Sequence, residues 1–107
     1  MKIIEQNIDN LNDLCKRYHV DKLYLFGSIA KNNYSENSDI DFLVKFSGVD
    51  PLNYFDNYFD FKENLENLFS MDVDLVEIQT IKNPILKRSI DRDKIIIYGR
   101  ENSKVAV

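Results

Sequence analysis

Residues 26–44, FGSIAKNNYSENSDIDFLV, contain two patterns that predict both the fold and the chemistry of this chain. A short β-prone run, residues 22–26, stops at Gly27-Ser28. Where a strand leads into a turn or a helix start, exposed backbone N–H groups attract anions. Gly27 allows a phosphate to approach the backbone closely, and the Ser28 hydroxyl can either bond a phosphate oxygen or cap a short helix that begins near Ile29. Taken alone, Gly-Ser after a strand is more typical of a plain turn.

Two acids, Asp39 and Asp41, begin the second β-prone run, residues 39–46. Side chains at i and i+2 of a strand point to one face, so this pair presents two carboxylates side by side. Such carboxylates repel one another, and a shared divalent cation removes that cost. Hard oxygen ligands suit Mg²⁺, which binds through a few carboxylates together with substrate phosphates. The alternative is a turn acid followed by an exposed strand acid, but Asp is disfavoured inside strands, which favours the metal site.

A third acid, Asp74, lies in the apolar run of residues 73–78. If this strand pairs with the one that begins at Asp39, three carboxylates meet at one end of the sheet, as a pair of metal ions about 4 Å apart requires. Spacing alone does not choose between Asp74 and Asp72, because the two lie at i and i+2. Asp72 stands at the strand entrance, where turn acids are common, whereas Asp74 is costly among apolar neighbours without a charged partner.

The remaining sequence predicts a small α/β (α+β) fold. Apolar residues at helical spacing predict amphipathic helices over about residues 3–18 and 51–69. Asp50-Pro51 and Asn83-Pro84 each combine a capping residue with proline at the first helical position, and a fourth strand is expected at residues 95–98. The order helix, strand, strand, helix, strand, helix, strand predicts a small mixed sheet with helices packed against it, in a single domain over residues 1–107.

Composition and charge narrow the class of protein. With 44% hydrophobic and 30% charged residues, the chain is typical of a globular protein. It shows neither a secretory signal nor a membrane span, and its one cysteine, Cys15, is expected in the core, so a cytoplasmic location is predicted. The net charge of −4 argues against a nucleic-acid-coating role. Residues 82–107 nevertheless carry 7 basic and 3 acidic side chains, which indicates either a contact surface or a solvated helix face.

The linked spacing of these motifs resembles the minimal nucleotidyltransferases (MNT) of the polymerase-β-like superfamily, which include the antitoxins of HEPN/MNT toxin–antitoxin pairs. The family pattern is Gly-Ser, ten residues, Asp-x-Asp, and a third acid in a later strand. Gly27-Ser28, Asp39-Ile40-Asp41 and Asp74 match it. Many members carry arginine directly after Gly-Ser and a further Arg-Gly, where this chain has Ile29 and Lys31-Asn32. Lys31 can still meet a phosphate as a point charge, although it lacks the planar fork of arginine.

The resemblance implies the polymerase-β-like fold and transfer of AMP from ATP, or of another nucleoside monophosphate from its own triphosphate. Gly27, Ser28 and Lys31 would bind the nucleotide, and Asp39, Asp41 and Asp74 would be catalytic residues holding two Mg²⁺ ions. The implied acceptor is a tyrosine of a HEPN ribonuclease toxin, and 107 residues leave little room to enclose a small molecule. Two alternatives remain open: an aminoglycoside-type transferase, and a non-catalytic module that covers a toxin. A membrane or nucleic acid is not expected as a direct partner, and a homo- or hetero-oligomer is possible.

Overall fold

Helices and strands follow one another in the predicted order. The structure, a computed structural model, describes residues 2–27 and 39–99. Its helices are α1 (Lys2–Gln6), α2 (Ile8–Arg17), α3 (Tyr54–Phe69) and α4 (Pro84–Asp93), with 3₁₀ turns at Pro51–Asn53 and Ile78–Thr80. Its strands are β1 (Val20–Phe26), β2 (Ile40–Phe46), β3 (Val73–Glu77) and β4 (Ile95–Tyr98).

The four strands form one mixed sheet in the order β3-β2-β1-β4. Strand β1 is antiparallel to both β2 and β4, whereas β2 and β3 are parallel. A parallel pair needs a long crossover, and α3 provides it between β2 and β3. The predicted α+β architecture with a small mixed sheet is therefore confirmed.

The two faces of the sheet are covered unequally. One face packs against α1, α2 and α3 and contains the main core, in which Phe42, Phe61 and Leu65 are fully buried. The other face carries a smaller cluster of Tyr24, Leu43 and Ile90, the last of these from α4. Side chains alternate between the faces along each strand, so Ile40, Phe42 and Val44 enter the main core while Asp41, Leu43 and Lys45 face the α4 side. We call this second surface the α4 face.

The predicted capping residues are confirmed, but several boundaries were wrong. The Asp50 carboxylate accepts from the Leu52 N–H at 2.9 Å, and the Asn83 amide oxygen accepts from the Ile85 N–H at 2.9 Å. The helix expected over residues 3–18 is divided at Asn7, whose side chain donates to the Ile3 carbonyl at 2.9 Å and so competes with the helical backbone pattern.

Strand β1 begins at Val20, two residues earlier than predicted, and β3 ends at Glu77, one residue earlier than predicted. Strand β2 begins at Ile40, one residue later than predicted. Pro51–Asn53 form a 3₁₀ turn, so the α-helix predicted from residue 51 begins only at Tyr54.

The helices of the described residues lack the combination of length and hydrophobicity that a membrane span needs. Over residues 2–27 and 39–99, every helix is too short or too polar to cross a bilayer.

Candidate active site

Gly27 and Asp41 are in close contact at one end of the sheet. Phe26, the last residue of β1, pairs with Asp41 of β2, which brings the following glycine against the Asp41 side chain. A Cβ atom built on Gly27 would lie 2.1 Å from Asp41 Oδ2, far inside van der Waals contact. Gly27 also has φ +79°, a backbone conformation that other residues adopt at a cost. Only glycine fits this position without displacing the carboxylate.

Asp41 and Asp74 lie opposite each other in the parallel register of β2 and β3. Asp39 is exposed and immediately precedes β2. The pKa of Asp41 is raised above its ordinary value of 3.8, first by burial and then by the negative charges of Asp74 and Asp39. The three predicted acids therefore lie at one end of the sheet, where the charges of Asp74 and Asp39 act on Asp41.

The acids are not arranged as a preformed ligand set. Within residues 2–27 and 39–99, no three Asp, Glu, His or Cys side chains are grouped so that they could hold a metal ion. Asp74 is exposed and Asp41 is half-buried, so their carboxylates can be reached from solvent. The structure thus places Asp41 beside Asp74, and Asp39 lies two residues before Asp41 in the sequence.

The structure distinguishes Asp72 from Asp74 by their positions and by their effects on Asp41. Asp72 precedes β3, and its backbone carbonyl accepts a hydrogen bond from the Ile40 N–H at 3.0 Å. Only Asp74 and Asp39 contribute to the raised pKa of Asp41 as neighbouring charges. Asp74 is therefore the acid of the pair that acts on Asp41.

Two predicted nucleotide-binding residues, Ser28 and Lys31, lie outside the described residues, as do the departures Ile29 and Asn32. Their roles remain predictions. Gly27 is the described part of the predicted phosphate site, and its position against Asp41 connects that site to the acids.

Two tyrosines of α3 also contact β3, the strand that carries Asp74. The Tyr58 hydroxyl donates to the Leu75 carbonyl at 2.5 Å, and the Tyr54 hydroxyl donates to the Glu77 carboxylate. Burial raises the pKa of Tyr58, as do the charges of Glu77 and Asp74. These contacts tie α3 to β3, the strand that carries Asp74. The amphipathic spacing predicted a helix over residues 51–69, but it carries no signal for the partners of the tyrosine hydroxyl groups.

Comparison with known proteins identifies the family. Residues 9–103 match the family described as polymerase beta, nucleotidyltransferase. The chain is 40% identical over 83 residues to a protein of Methanocaldococcus jannaschii that is provisionally named a protein adenylyltransferase, a match over 76% of this chain and 80% of that protein. It is 35% identical over 75 residues to the protein adenylyltransferase MntA of Thermococcus cleftensis, a match over 70% of this chain and 73% of the relative.

Solved structures share the fold. A structure provisionally described as a minimal nucleotidyltransferase has a TM-score of 0.73 at 28% identity. The match covers 88% of this chain and 92% of the other chain. A complex of a tri-AMPylated Shewanella oneidensis HEPN toxin with an MNT antitoxin matches with a TM-score of 0.63 at 19% identity, covering 95% of this chain and 77% of that one. At that identity the second likeness shows the fold alone.

The chain belongs to the polymerase-β-like nucleotidyltransferase family. It is an enzyme of the nucleotidyltransferase class, as the Gly-Ser and Asp-x-Asp spacing predicted, and its similarity to MntA confirms the predicted resemblance to the MNT antitoxins.

Proposed function

We propose that this chain transfers AMP from ATP to a hydroxyl group of a HEPN-domain toxin and thereby acts as its antitoxin. The observation that carries the proposal is the end of the sheet where Asp41 lies opposite Asp74 and Gly27 touches the Asp41 carboxylate. Relatives at 40% and 35% identity are named as protein adenylyltransferases. The complex from Shewanella oneidensis, which shares the fold, contains an AMPylated HEPN toxin, and this supports the same class of partner.

Asp39, Asp41 and Asp74 are the residues that we propose hold Mg²⁺. Their donors are all carboxylate oxygens, which suit this hard cation. The pKa of Asp41 is raised first by burial and then by the charges of Asp74 and Asp39, and a divalent cation would relieve the repulsion among these charges. When bound, Mg²⁺ supplies charge neutralisation for the phosphates and polarisation of the acceptor hydroxyl.

Gly27, Ser28 and Lys31 are the residues that we propose bind the triphosphate. The absence of a side chain at Gly27 leaves the backbone open to a phosphate oxygen next to Asp41. The Ser28 hydroxyl would donate to a phosphate oxygen, and the Lys31 ammonium group would neutralise part of the phosphate charge.

The transfer itself is a substitution at the α-phosphorus of ATP. The acceptor oxygen forms a bond to the α-phosphorus while the bond to the bridging oxygen breaks, and pyrophosphate leaves with that electron pair. The acceptor proton passes to a carboxylate oxygen of Asp74, which is exposed and so can reach an incoming hydroxyl. Because the substrates are ATP and a ribonuclease, and because Cys15 is a free thiol, we place the reaction in the cytoplasm.

Calorimetric titration with ATP, with and without Mg²⁺, tests the binding part of this proposal. We expect binding to depend on Mg²⁺ in the wild-type protein and to lose that dependence when Asp39→Ala and Asp41→Ala are combined. Labelled ATP offered together with the HEPN protein, an aminoglycoside and an RNA tests the acceptor, and label should appear on the HEPN protein alone. If the double variant silences the toxin as well as the wild type does, the chain acts as a steric antitoxin and the catalytic proposal fails.

A further inference from the structure

A pocket lies on the α4 face, at the end of the sheet away from Asp41. Its volume is about 190 Å³, and its lining includes the side chains of Tyr24, Leu43 and Ile90. All three are buried and together form the apolar cluster of this face. We call this cavity the lysine pocket because four lysines, Lys22, Lys45, Lys87 and Lys94, also line it.

The lysine pocket is strongly basic within an acidic protein. Asp91 is the one acid among its lining residues, and it bonds Lys94, whose Nζ atom lies 2.9 Å from Asp91 Oδ1 and 4.4 Å from the centre of the Tyr24 ring. Among the described residues, no carboxylate forms an ion pair with the other three lysines. The pocket therefore has an excess of three positive charges, whereas the whole chain has a net charge of −4.

Two of the lysines are held beside each other by the sheet. Lys22 of β1 and Lys45 of β2 are cross-strand partners on the same face. Like charges in this position destabilise a sheet, and a bound anion between them would remove that cost. The arrangement favours an anionic group at the mouth of the pocket, above an apolar floor.

The position of the pocket relative to the acids narrows the choice of ligand. Asp41, Leu43 and Lys45 lie on one face of β2, so Lys45 of the lysine pocket is about 13 Å from Asp41 along the strand. In our account the phosphates of ATP bind at the Gly27 end, and the nucleoside carries no negative charge to match four lysines. The acceptor is the other substrate that must reach Asp41 and Asp74.

We propose that the lysine pocket binds an acidic side chain of the acceptor protein, in a segment that crosses the α4 face and brings the hydroxyl group to Asp74. This inference rests on the proposed function, because it assigns a docking site to the same acceptor. An acidic residue about 13 Å from the modified hydroxyl, or about four residues along an extended segment, would occupy it.

Charge reversal tests this docking site. We expect Lys22→Glu combined with Lys45→Glu to raise the KM for the acceptor protein about tenfold or more, while kcat changes less than about threefold and the KM for ATP stays the same. The matched control is Lys2→Glu combined with Lys16→Glu, which changes the net charge equally at exposed positions of α1 and α2 on the other side of the sheet. The control should leave all three constants unchanged, and thermal unfolding should show that both variants fold.

The substitution Asp91→Asn should change the KM for the acceptor in the opposite direction. It removes the one acid that competes for the lysines, so we expect the KM for the acceptor to fall. A KM for the acceptor that rises in Lys22→Glu combined with Lys45→Glu and falls in Asp91→Asn would support the binding of an acidic segment in the pocket.

Other occupants give different results. If Lys22→Glu combined with Lys45→Glu raises only the KM for ATP, the pocket binds the nucleotide. If the variant loses only RNA binding, the pocket binds RNA. If it changes only self-association in sedimentation, the pocket binds a second copy of the chain. Each of these results, or an unchanged KM for the acceptor, would overturn the inference. If wild type and control also fail to label the acceptor, the proposed function itself is wrong and the inference falls with it.

Discussion

Asp41 and Asp74 lie opposite each other in the register of two parallel strands, and the pKa of Asp41 is raised first by burial and then by the charge of Asp74. This relationship costs stability while both carboxylates are ionised and no cation is present. A cation bound between the two carboxylates would remove this cost. A strand pair built for stability alone would not place two acids at the same point of the register.

Replacing Asp41 with Asn should therefore stabilise the metal-free protein. The pKa of Asp41 is higher in the folded chain than its ordinary value of 3.8, so its contribution to stability is present below that pH and is lost as the pH rises. We expect Asp41→Asn to melt a few degrees above the wild type at neutral pH without Mg²⁺, and the difference to narrow toward pH 3.8. Adding Mg²⁺ should raise the melting temperature of the wild type more than that of the variant. A less stable variant under metal-free neutral conditions would contradict this reasoning.

Gly27→Ala should impair the site through a steric contact. The new Cβ would lie 2.1 Å from Asp41 Oδ2, so the carboxylate must move. Gly48→Ala is a matched control, because Gly48 has nearly the same backbone angle, φ +78°, but open space around its Cα. We expect both variants to lose about 1–2 kcal/mol of unfolding free energy from the left-handed backbone. Only Gly27→Ala should also reduce transfer, by about 10²-fold or more. Normal transfer by Gly27→Ala would show that its contact with Asp41 does not matter.

Asp74 and Asp72 should respond differently to substitution. We expect Asp74→Ala to retain nucleotide binding but to lose transfer by on the order of 10² or more, the scale of one positioned acid–base group. Asp72→Ala should change the rate little, because Asp72 uses its backbone carbonyl to hold Ile40 and does not act on Asp41. Single-turnover rates at saturating ATP and Mg²⁺ measure both. A large loss for Asp72→Ala with a near-normal Asp74→Ala would reverse the assignment.

Cys15 should be unreactive in the native protein. It is fully buried in α2, and burial raises its pKa from 9.0 to about 12. Thiol reagents need an accessible thiolate, so we expect labelling at pH 8 to be about 10²-fold slower or more than in denaturant. Its contribution to stability should be present below pH 9.0 and be lost as the pH rises toward about 12, and Cys15→Ala should remove that part of the alkaline loss. Rapid labelling of the native protein would show that α2 opens readily.

The sequence predicted the order of elements, the mixed sheet and the family because each depends on local signals. Proline after a capping residue marked the helix starts at Asp50-Pro51 and Asn83-Pro84, and alternation marked the strands. The division of the first helix at Asn7 was missed because it arises from one side-chain hydrogen bond that competes with a continuous apolar stripe.

The candidate site was predicted only in part. The spacing of Asp39 and Asp41 indicated a shared face, but it could not show that Asp74 falls in register with Asp41, since register depends on how β2 and β3 pair across the crossover. The contact of Gly27 with Asp41 likewise depends on how β1 pairs with β2, and the lysine pocket also depends on how α4 packs against the sheet.

The most direct test of AMP transfer is to follow two labels of ATP in parallel reactions with the HEPN protein. With label on the α-phosphate, we expect the HEPN protein to become labelled and one pyrophosphate to be released for each AMP attached. With label on the γ-phosphate, the HEPN protein should stay unlabelled. Asp41→Asn should abolish both the α-label and pyrophosphate release. Transfer of the γ-label would show a kinase, and a silenced but unlabelled toxin would show a steric antitoxin; either result would contradict the account.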